Sequence, residues 1–159
     1  DAQNLTEHSA AYNAVPAQRA HTKVAVPLYR RLNGAARLTT GIQVMNTSDR
    51  PGRVHIDFLV GLGPAAVPAG GCGPTCDAVI QPMSAHTWWP PAIGALVDGQ
   101  IGSAIVESDV PIAVIVNDYP LAGEIDAATY TGIPVFDRPV PNPTVRPRDA
   151  HDVVQPAVR

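Results

Sequence analysis

Arg53-Val54-His55-Ile56-Asp57-Phe58-Leu59-Val60 alternates apolar and polar residues with a period of two. Val54, Ile56, Phe58 and Val60 fall on one side of an extended chain, and Arg53, His55 and Asp57 on the other. That is the pattern of a strand with one face on a core and one in water. Two earlier runs repeat it. Val24, Val26 and Leu28 share a face, and Ile42 and Val44 share another with Gln43 opposite. Asn46-Thr47-Ser48-Asp49-Arg50-Pro51-Gly52 lies between the second and third runs. Its composition is that of a turn, and the runs it joins are predicted to form a hairpin.

Downstream the same signals continue. A long connection runs from Gly61 to Gly71, followed by short runs at Asp77–Gln81 and Ser84–Trp89 on either side of Pro82. Pro90-Pro91 ends the second of these, and residues 92–100, with Gly94 and Gly99, read as a loop or a single helical turn. Ile101–Glu107 and Ile112–Asn117 follow, split by Ser108-Asp109-Val110-Pro111, and Ala127–Ile133 comes last. About eight strands with turn signals every 8–12 residues predict an all-β sandwich. Ile101–Glu107 and Ile112–Asn117 are apolar on both faces: Ile105 against Ala104 and Val106, Val114 against Ala113 and Ile115. Two readings stand open for their outer face: loops cap it, or a neighbouring molecule covers it.

Composition excludes other classes. Of 159 residues 17 are proline and 13 glycine, which argues against a helix bundle, because an interior proline removes a hydrogen bond and clashes with the preceding turn. Net charge is −3 and Lys23 is the one lysine, so there is no basic footprint for nucleic acid. No apolar run approaches the roughly 18 residues of a membrane-spanning helix. Asp1, with no initiator methionine and no leader-like apolar segment after it, is the start expected of a secreted chain after signal removal, and a trimmed chain begins the same way.

The two cysteines stand in Gly71-Cys72-Gly73-Pro74-Thr75-Cys76. Gly73 and Pro74 let the chain bend enough for a small disulfide loop, which favours an oxidising compartment. The alternatives are free thiols or half a zinc site, but the latter needs two further ligands that no Cys/His pair supplies. Asn4-Leu5-Thr6 and Asn46-Thr47-Ser48 match the glycosylation triplet, a pattern that chance also produces.

Signatures of catalytic chemistry are sparse. His55 shares a face with Asp57 and Arg53, which a solvated strand face explains better than a proton relay. Ser84 and His86 lie two apart, without a nucleophile elbow or an orienting carboxylate. Asp98, Glu107, Asp109, Asp118, Glu124 and Asp126 are oxygen donors of the kind calcium takes, but they lack EF-hand spacing. No phosphate-cradling loop or dinucleotide fingerprint occurs. The expectation is a protein that is not an enzyme, with no catalytic residue, metal or cofactor. Trp88-Trp89 is the one aromatic cluster. Adjacent strand residues face opposite sides, so one tryptophan enters the core and the other is available as a subunit contact or a sugar platform.

Two terminal features set the domain organisation. Residues 135–159 carry Pro139, Pro141, Pro143, Pro147 and Pro156 among arginines and aspartates, a composition that cannot pack a core of its own. Ala10-Ala11-Tyr12-Asn13-Ala14-Val15-Pro16 echoes Ala128-Thr129-Tyr130-Thr131-Gly132-Ile133-Pro134. The copies bracket one domain, as the joints of a tandem array would.

On Val24-Ala-Val-Pro-Leu28, Thr40-Gly-Ile-Gln-Val-Met-Asn46, Gly102-Ser-Ala-Ile-Val-Glu-Ser-Asp109, Pro111-Ile-Ala-Val-Ile-Val-Asn117 and Asp126-Ala-Ala-Thr-Tyr-Thr-Gly-Ile-Pro134, the chain resembles the Ig-like β-sandwich repeats of bacterial cell-surface proteins, of the type found in Chloroflexota. The resemblance covers roughly residues 22–134; the Gly70–Cys76 insertion and the proline-rich tail depart from it. It implies an Ig-like antiparallel β-sandwich of about 7–8 strands with a surface or structural role, and it hands over no catalytic residue. Together these features predict an N-terminal arm (residues 1–21), a sandwich (22–134) and a C-terminal arm (135–159). The expected function is head-to-tail self-assembly into an extracellular filament or surface layer. Tyr12, Val15 and Pro16 form the assembly arm, and Tyr130, Ile133 and Pro134 form the terminal joint strand, through β-augmentation in trans or by folding back in cis. The expected partners are other copies of the chain. The alternatives are a carbohydrate-binding module reading surface polysaccharide, and an accessory subunit on an envelope complex.

Overall fold

The structure is a computed structural model and describes residues 15–16, 19–61, 67–70, 72–122 and 127–136. Among the described residues there are nine strands: β1 His21–Arg30, β2 Thr39–Asn46, β3 Gly52–Val60, β4 Val67–Pro68, β5 Asp77–Ile80, β6 Ala85–Trp88, β7 Ile101–Tyr119, β8 Ala128–Thr131 and β9 Ile133–Pro134. The remaining regular structure described is two short 3-10 turns, Gly73–Cys76 and Pro90–Ala92, besides a turn at Arg19. The fold is all-β, and every ladder is antiparallel.

The 19-residue strand β7 organises the molecule. Its first half lies between β1 and β3, and its second half between β2 and β8. One layer is therefore β4 and β5, β3, the first half of β7, β1 and β9; the other is β6, β2, the second half of β7, and β8. The predicted break at Ser108-Asp109-Val110-Pro111 does not occur, and the chain passes through it still extended. Polar side chains replace the missing ladder bonds there. Asp109 Oδ1 accepts the Arg53 N–H at 2.8 Å, Ser108 Oγ accepts from Val110 N at 3.1 Å, and the Pro111 carbonyl accepts from Thr47 N at 3.1 Å. His21 pairs with Ile112 and Lys23 with Glu107, so β7 carries several unmatched residues here, which is how it leaves one layer for the other.

The predicted β2–β3 hairpin is also absent. β2 pairs with β6 and β7, and β3 with β4, β5 and β7. The polar stretch between them crosses from one layer to the other. Asn46, fully buried, holds the crossing: its Nδ2 donates to the carbonyls of Arg50 (2.7 Å) and Ile80 (3.0 Å), and its Oδ1 accepts from Ser48 N (2.9 Å). This buried, fully engaged amide is no glycan acceptor; Asn4 lies outside the described residues.

Faces follow the sequence pattern except at Val60, which is only half-buried, and on β1. Val54, Ile56 and Phe58 are buried, Arg53 and Asp57 exposed, and Ile42 and Val44 buried with Gln43 exposed. On β1, Val24 and Val26 enter the core but Leu28 does not. Val26 pairs with Ala104 and Tyr29 with Gly102, so a bulge at Pro27 flips the alternation and Tyr29 takes the core position. Gly102 makes room for it, because a Cβ there would sit 2.8 Å from Tyr29 Cε1. Along β7 every even residue from Gly102 to Asp118 except Ser108 is buried. On the outer face Ile105, Ala113 and Ile115 are half-buried, neither capped fully nor bare. Ile105 lies between Ala25 and Asp57, and Ile115 between Gln43 and Thr131.

Two arginines brace the end where β2 begins and β7 finishes. Arg30 forms an ion pair with buried Asp118, which also accepts the Thr40 hydroxyl at 3.0 Å. Arg31 Nη1 donates to the carbonyls of Pro90, Ile93 and Leu96, while its Nε pairs with Asp98 at 3.1 Å, so one side chain fixes the loop after β6. Cys72 and Cys76 are disulfide-bonded with Cα atoms 5.7 Å apart. Cys76 is buried, and the bridge stands under the β3 face. A disulfide suits a non-reducing environment. Among the described residues no helix is long and apolar enough to cross a membrane.

Candidate functional site

The joint strand is where the chain's special chemistry gathers. β8 runs along the second half of β7, with Val116 opposite Tyr130 and Ile115 opposite Thr131. Gly132 then carries the chain across to the other layer, donating its N–H to the Val114 carbonyl at 2.9 Å. β9 pairs with β1, Ile133 opposite Ala25 and Pro134 opposite Val24. Only glycine fits the crossing: a Cβ at 132 would lie 2.4 Å from Val24 Cγ1, 3.0 Å from Val114 Cβ and 3.3 Å from the Ala25 carbonyl. Tyr130 locks the two layers together. Its ring packs on the core, and its hydroxyl donates to the Leu28 carbonyl in β1. Burial pushes the phenol up to about 12, so it stays a neutral donor at every ordinary pH.

The chain leaves this joint beside its own entry into β1. Val135 donates to the Lys23 carbonyl at 3.0 Å, and the Phe136 ring meets the His21 ring edge-on at 4.6 Å. β9 pairs with β1 alone among the described strands. Ile133 is 55% exposed and Phe136 54%. The open edge is short, two residues with one a proline, and two exposed apolar side chains flank it. Of the predicted assembly arm, Val15 is half-buried, Pro16 is exposed, and Arg19 donates to the Pro16 carbonyl at 2.8 Å, closing a turn before β1. Tyr12 and most of both predicted arms lie outside the described residues, as do Glu124 and Asp126.

The tryptophan pair divides as its alternation predicts. Trp88 is 2% exposed, opposite Ile42, with Nε1 donating to the Thr75 carbonyl at 3.1 Å. Trp89 stacks on Tyr119 with ring centroids 5.1 Å apart and 20° between planes. Tyr119 pairs with Thr39, a buried residue whose hydroxyl has no partner among the described residues.

The polar face of β3 makes an open groove of about 680 Å³ lined by Arg53, His55, Asp77, Val79, Glu107 and Asp109, among others. His55 Nδ1 lies 2.8 Å from Asp77 Oδ1 and Nε2 lies 3.1 Å from Asp57 Oδ1. The hydrogen bond to Asp77, helped by the one to Asp57 and the charge of both carboxylates, raises the imidazole above its ordinary value against the opposing effect of burial. Protonated, it donates to both. Ser84 donates to the Pro82 carbonyl at 3.3 Å and His86 packs edge-on against Trp88, so those two form no dyad. Among the described residues no group of three or more histidines, cysteines and acids is placed to hold a metal ion.

Sequence reading named Tyr130, Ile133 and Pro134 but missed the residues that receive them, Val24, Leu28 and Val114. A strand's partners are not written in its own alternation. It also missed Arg31 and the Asp118 ion pair, since a charged residue at a core-facing position of an apolar run was the only signal available.

No protein-family model matches the chain, and no curated protein matches it. Among solved structures it is similar to the crystal structure of Thermotoga maritima 1070, at 20% identity over 71% of this chain and 93% of that one, with a TM-score of 0.56. It also aligns with the Anabaena sensory rhodopsin transducer at 13% identity, over 60% of this chain and 92% of that one, with a TM-score of 0.45. The first likeness is one of fold alone.

Proposed function

We propose that this chain is a structural subunit, outside the reducing interior of the cell, that assembles head-to-tail with other copies of itself through the segments flanking its sandwich. The observation that carries this reading is the joint: a strand edge at β9 with no partner among the described residues, and Ile133 and Phe136 exposed beside the point where the chain enters β1. Strand addition at such an edge draws affinity from main-chain hydrogen bonds. A heterologous contact that does not close on itself gives a filament or layer. The disulfide supports the compartment, and no reaction is assigned. Deleting residues 1–20 tests the proposal. Negative-stain microscopy should show polymers of the full chain and monodisperse particles of the shortened one; polymers of equal length from both would sink it.

A second reading, binding of surface polysaccharide, is favoured by the Trp89–Tyr119 stack. Aromatic faces suit the apolar faces of neutral sugars. Retention on immobilised polysaccharide that Trp89→Ala abolishes, with the fold intact, would establish it; equal retention of the variant would dismiss it.

A further inference from the structure

We infer that the slot now filled by β8 and β9 is the receiving site for residues 10–16 of a second copy, and that the residue entering at the position of Gly132 decides which occupant holds it. The inference rests on the assembly reading and puts exchange of the whole joint strand in place of addition at the β9 edge. The slot makes four demands on whatever fills it. It asks for a tyrosine whose hydroxyl reaches the Leu28 carbonyl, and for an N–H at the crossing to meet the Val114 carbonyl. It also asks for no side chain at that crossing, and for an aliphatic residue and a proline opposite Ala25 and Val24. Tyr12, Val15 and Pro16 answer as Tyr130, Ile133 and Pro134 do, and a proline costs nothing at a position with a free edge.

Ala14 is the misfit. It stands where Gly132 stands, and its methyl would strike Val24 Cγ1 at 2.4 Å and Val114 Cβ at 3.0 Å unless they shift. Both valines are buried in a close-packed core with little room to give. The resident strand therefore outcompetes the incoming one in a dilute chain, and exchange waits on high local concentration. This ranking keeps single copies closed until they are crowded, as an assembly that must not start too early requires.

Sedimentation velocity on the full-length chain tests this with three proteins: wild type, Ala14→Gly, and Ala14→Gly combined with Tyr12→Ala. Thermal unfolding of each variant, with Tm unchanged from wild type, shows that the folded domain itself is intact. Removing the methyl should raise the association constant at least tenfold, and removing Tyr12 as well should cancel the gain. A fluorescent peptide of residues 8–18 should bind the full chain with the same ranking. If Ala14→Gly changes neither readout while deletion of residues 1–20 still abolishes wild-type assembly, the slot is not the acceptor and the assembly reading survives. If that deletion changes nothing yet Ala14→Gly gains a Tyr12-dependent association, the slot stands and the wider reading falls. An Ala14→Gly chain that stays monomeric while the peptide binds equally in both forms overturns the inference.

Discussion

Gly132→Ala puts the joint under direct strain. Glycine's φ at this position is ordinary, so the substitution carries no left-handed penalty. Its backbone effect alone would stabilise by about 0.4–1 kcal/mol, because alanine narrows the unfolded ensemble. Against this stands the added methyl, 2.4 Å from Val24 Cγ1 and 3.0 Å from Val114 Cβ, and overpacking of this kind costs about 1–3 kcal/mol. Steric cost wins, leaving a net loss of about 1–2 kcal/mol. For a domain of this size that is a fall in Tm of roughly 3–6 °C for each kcal/mol. Thermal unfolding followed by circular dichroism measures it, with Gly94→Ala as the control. No atom lies within 4 Å of a Cβ at Gly94, so that variant should be unchanged or slightly more stable. Val24→Ala removes the struck methyl, and the double variant Val24→Ala/Gly132→Ala should be more stable than the two single losses added together. Wild-type stability in Gly132→Ala, with additivity in the double variant, would refute the close-approach argument.

Three further outcomes follow from the geometry. Asp118→Ala leaves Arg30 without its buried partner and should cost about 3 kcal/mol in urea unfolding, the lower end of the range for a broken buried pair, since Arg30 keeps some exposure; Asp118→Asn, which can still accept from Thr40, should cost less. His55 has a folded-state affinity for its proton above the unfolded one, so its contribution is fully present below the ordinary imidazole value and is lost as pH rises through the raised one. The urea midpoint should thus fall as pH rises above the ordinary imidazole value, and Asp77→Asn should flatten that slope. Replacing Cys72 and Cys76 together by alanine opens a loop with a sequence separation of 4 and should cost about 2 kcal/mol by the chain-entropy relation, read from the same urea midpoints.

Alternation made most of this fold legible. A period of two over residues 53–60 and 42–44 told which side chains meet the core, because one-residue errors of register would bury Arg53 or Gln43. The failures have a common cause, which is that pairing is non-local. Asn46–Gly52 carries hairpin residues, yet it bridges two layers, and what decides this is the Asn46 amide meeting the Ile80 carbonyl far along the chain. Pro111 reads as a break because proline removes one ladder bond, but the Asp109 carboxylate within the strand and the Thr47 N–H outside it supply other connections. Pro27 does the reverse. It sits unnoticed in an apolar run, yet the bulge there moves Leu28 off the core and Tyr29 onto it. At the joint, the repeated Tyr and Pro were visible in sequence, while the meaning of Gly132 against Ala14 required the positions of two valines.

Strand exchange in the slot constrains the shape of any polymer. With a donor's Pro16 seated opposite the acceptor's Val24, about eight residues of donor chain remain before the donor's own Val24. An extended chain covers at most about 3.3–3.6 Å per residue, so the two β1 strands lie within roughly 27–29 Å of each other. A domain of this size has a radius of gyration of roughly 13 Å and hence a diameter of about 35 Å. The tether is shorter than the domain is wide, so neighbouring sandwiches must touch and cannot hang as beads on a string. Electron microscopy should give an axial rise no greater than about 35 Å; a rise well beyond that would mean that the copies are joined by long arms and not through the slot.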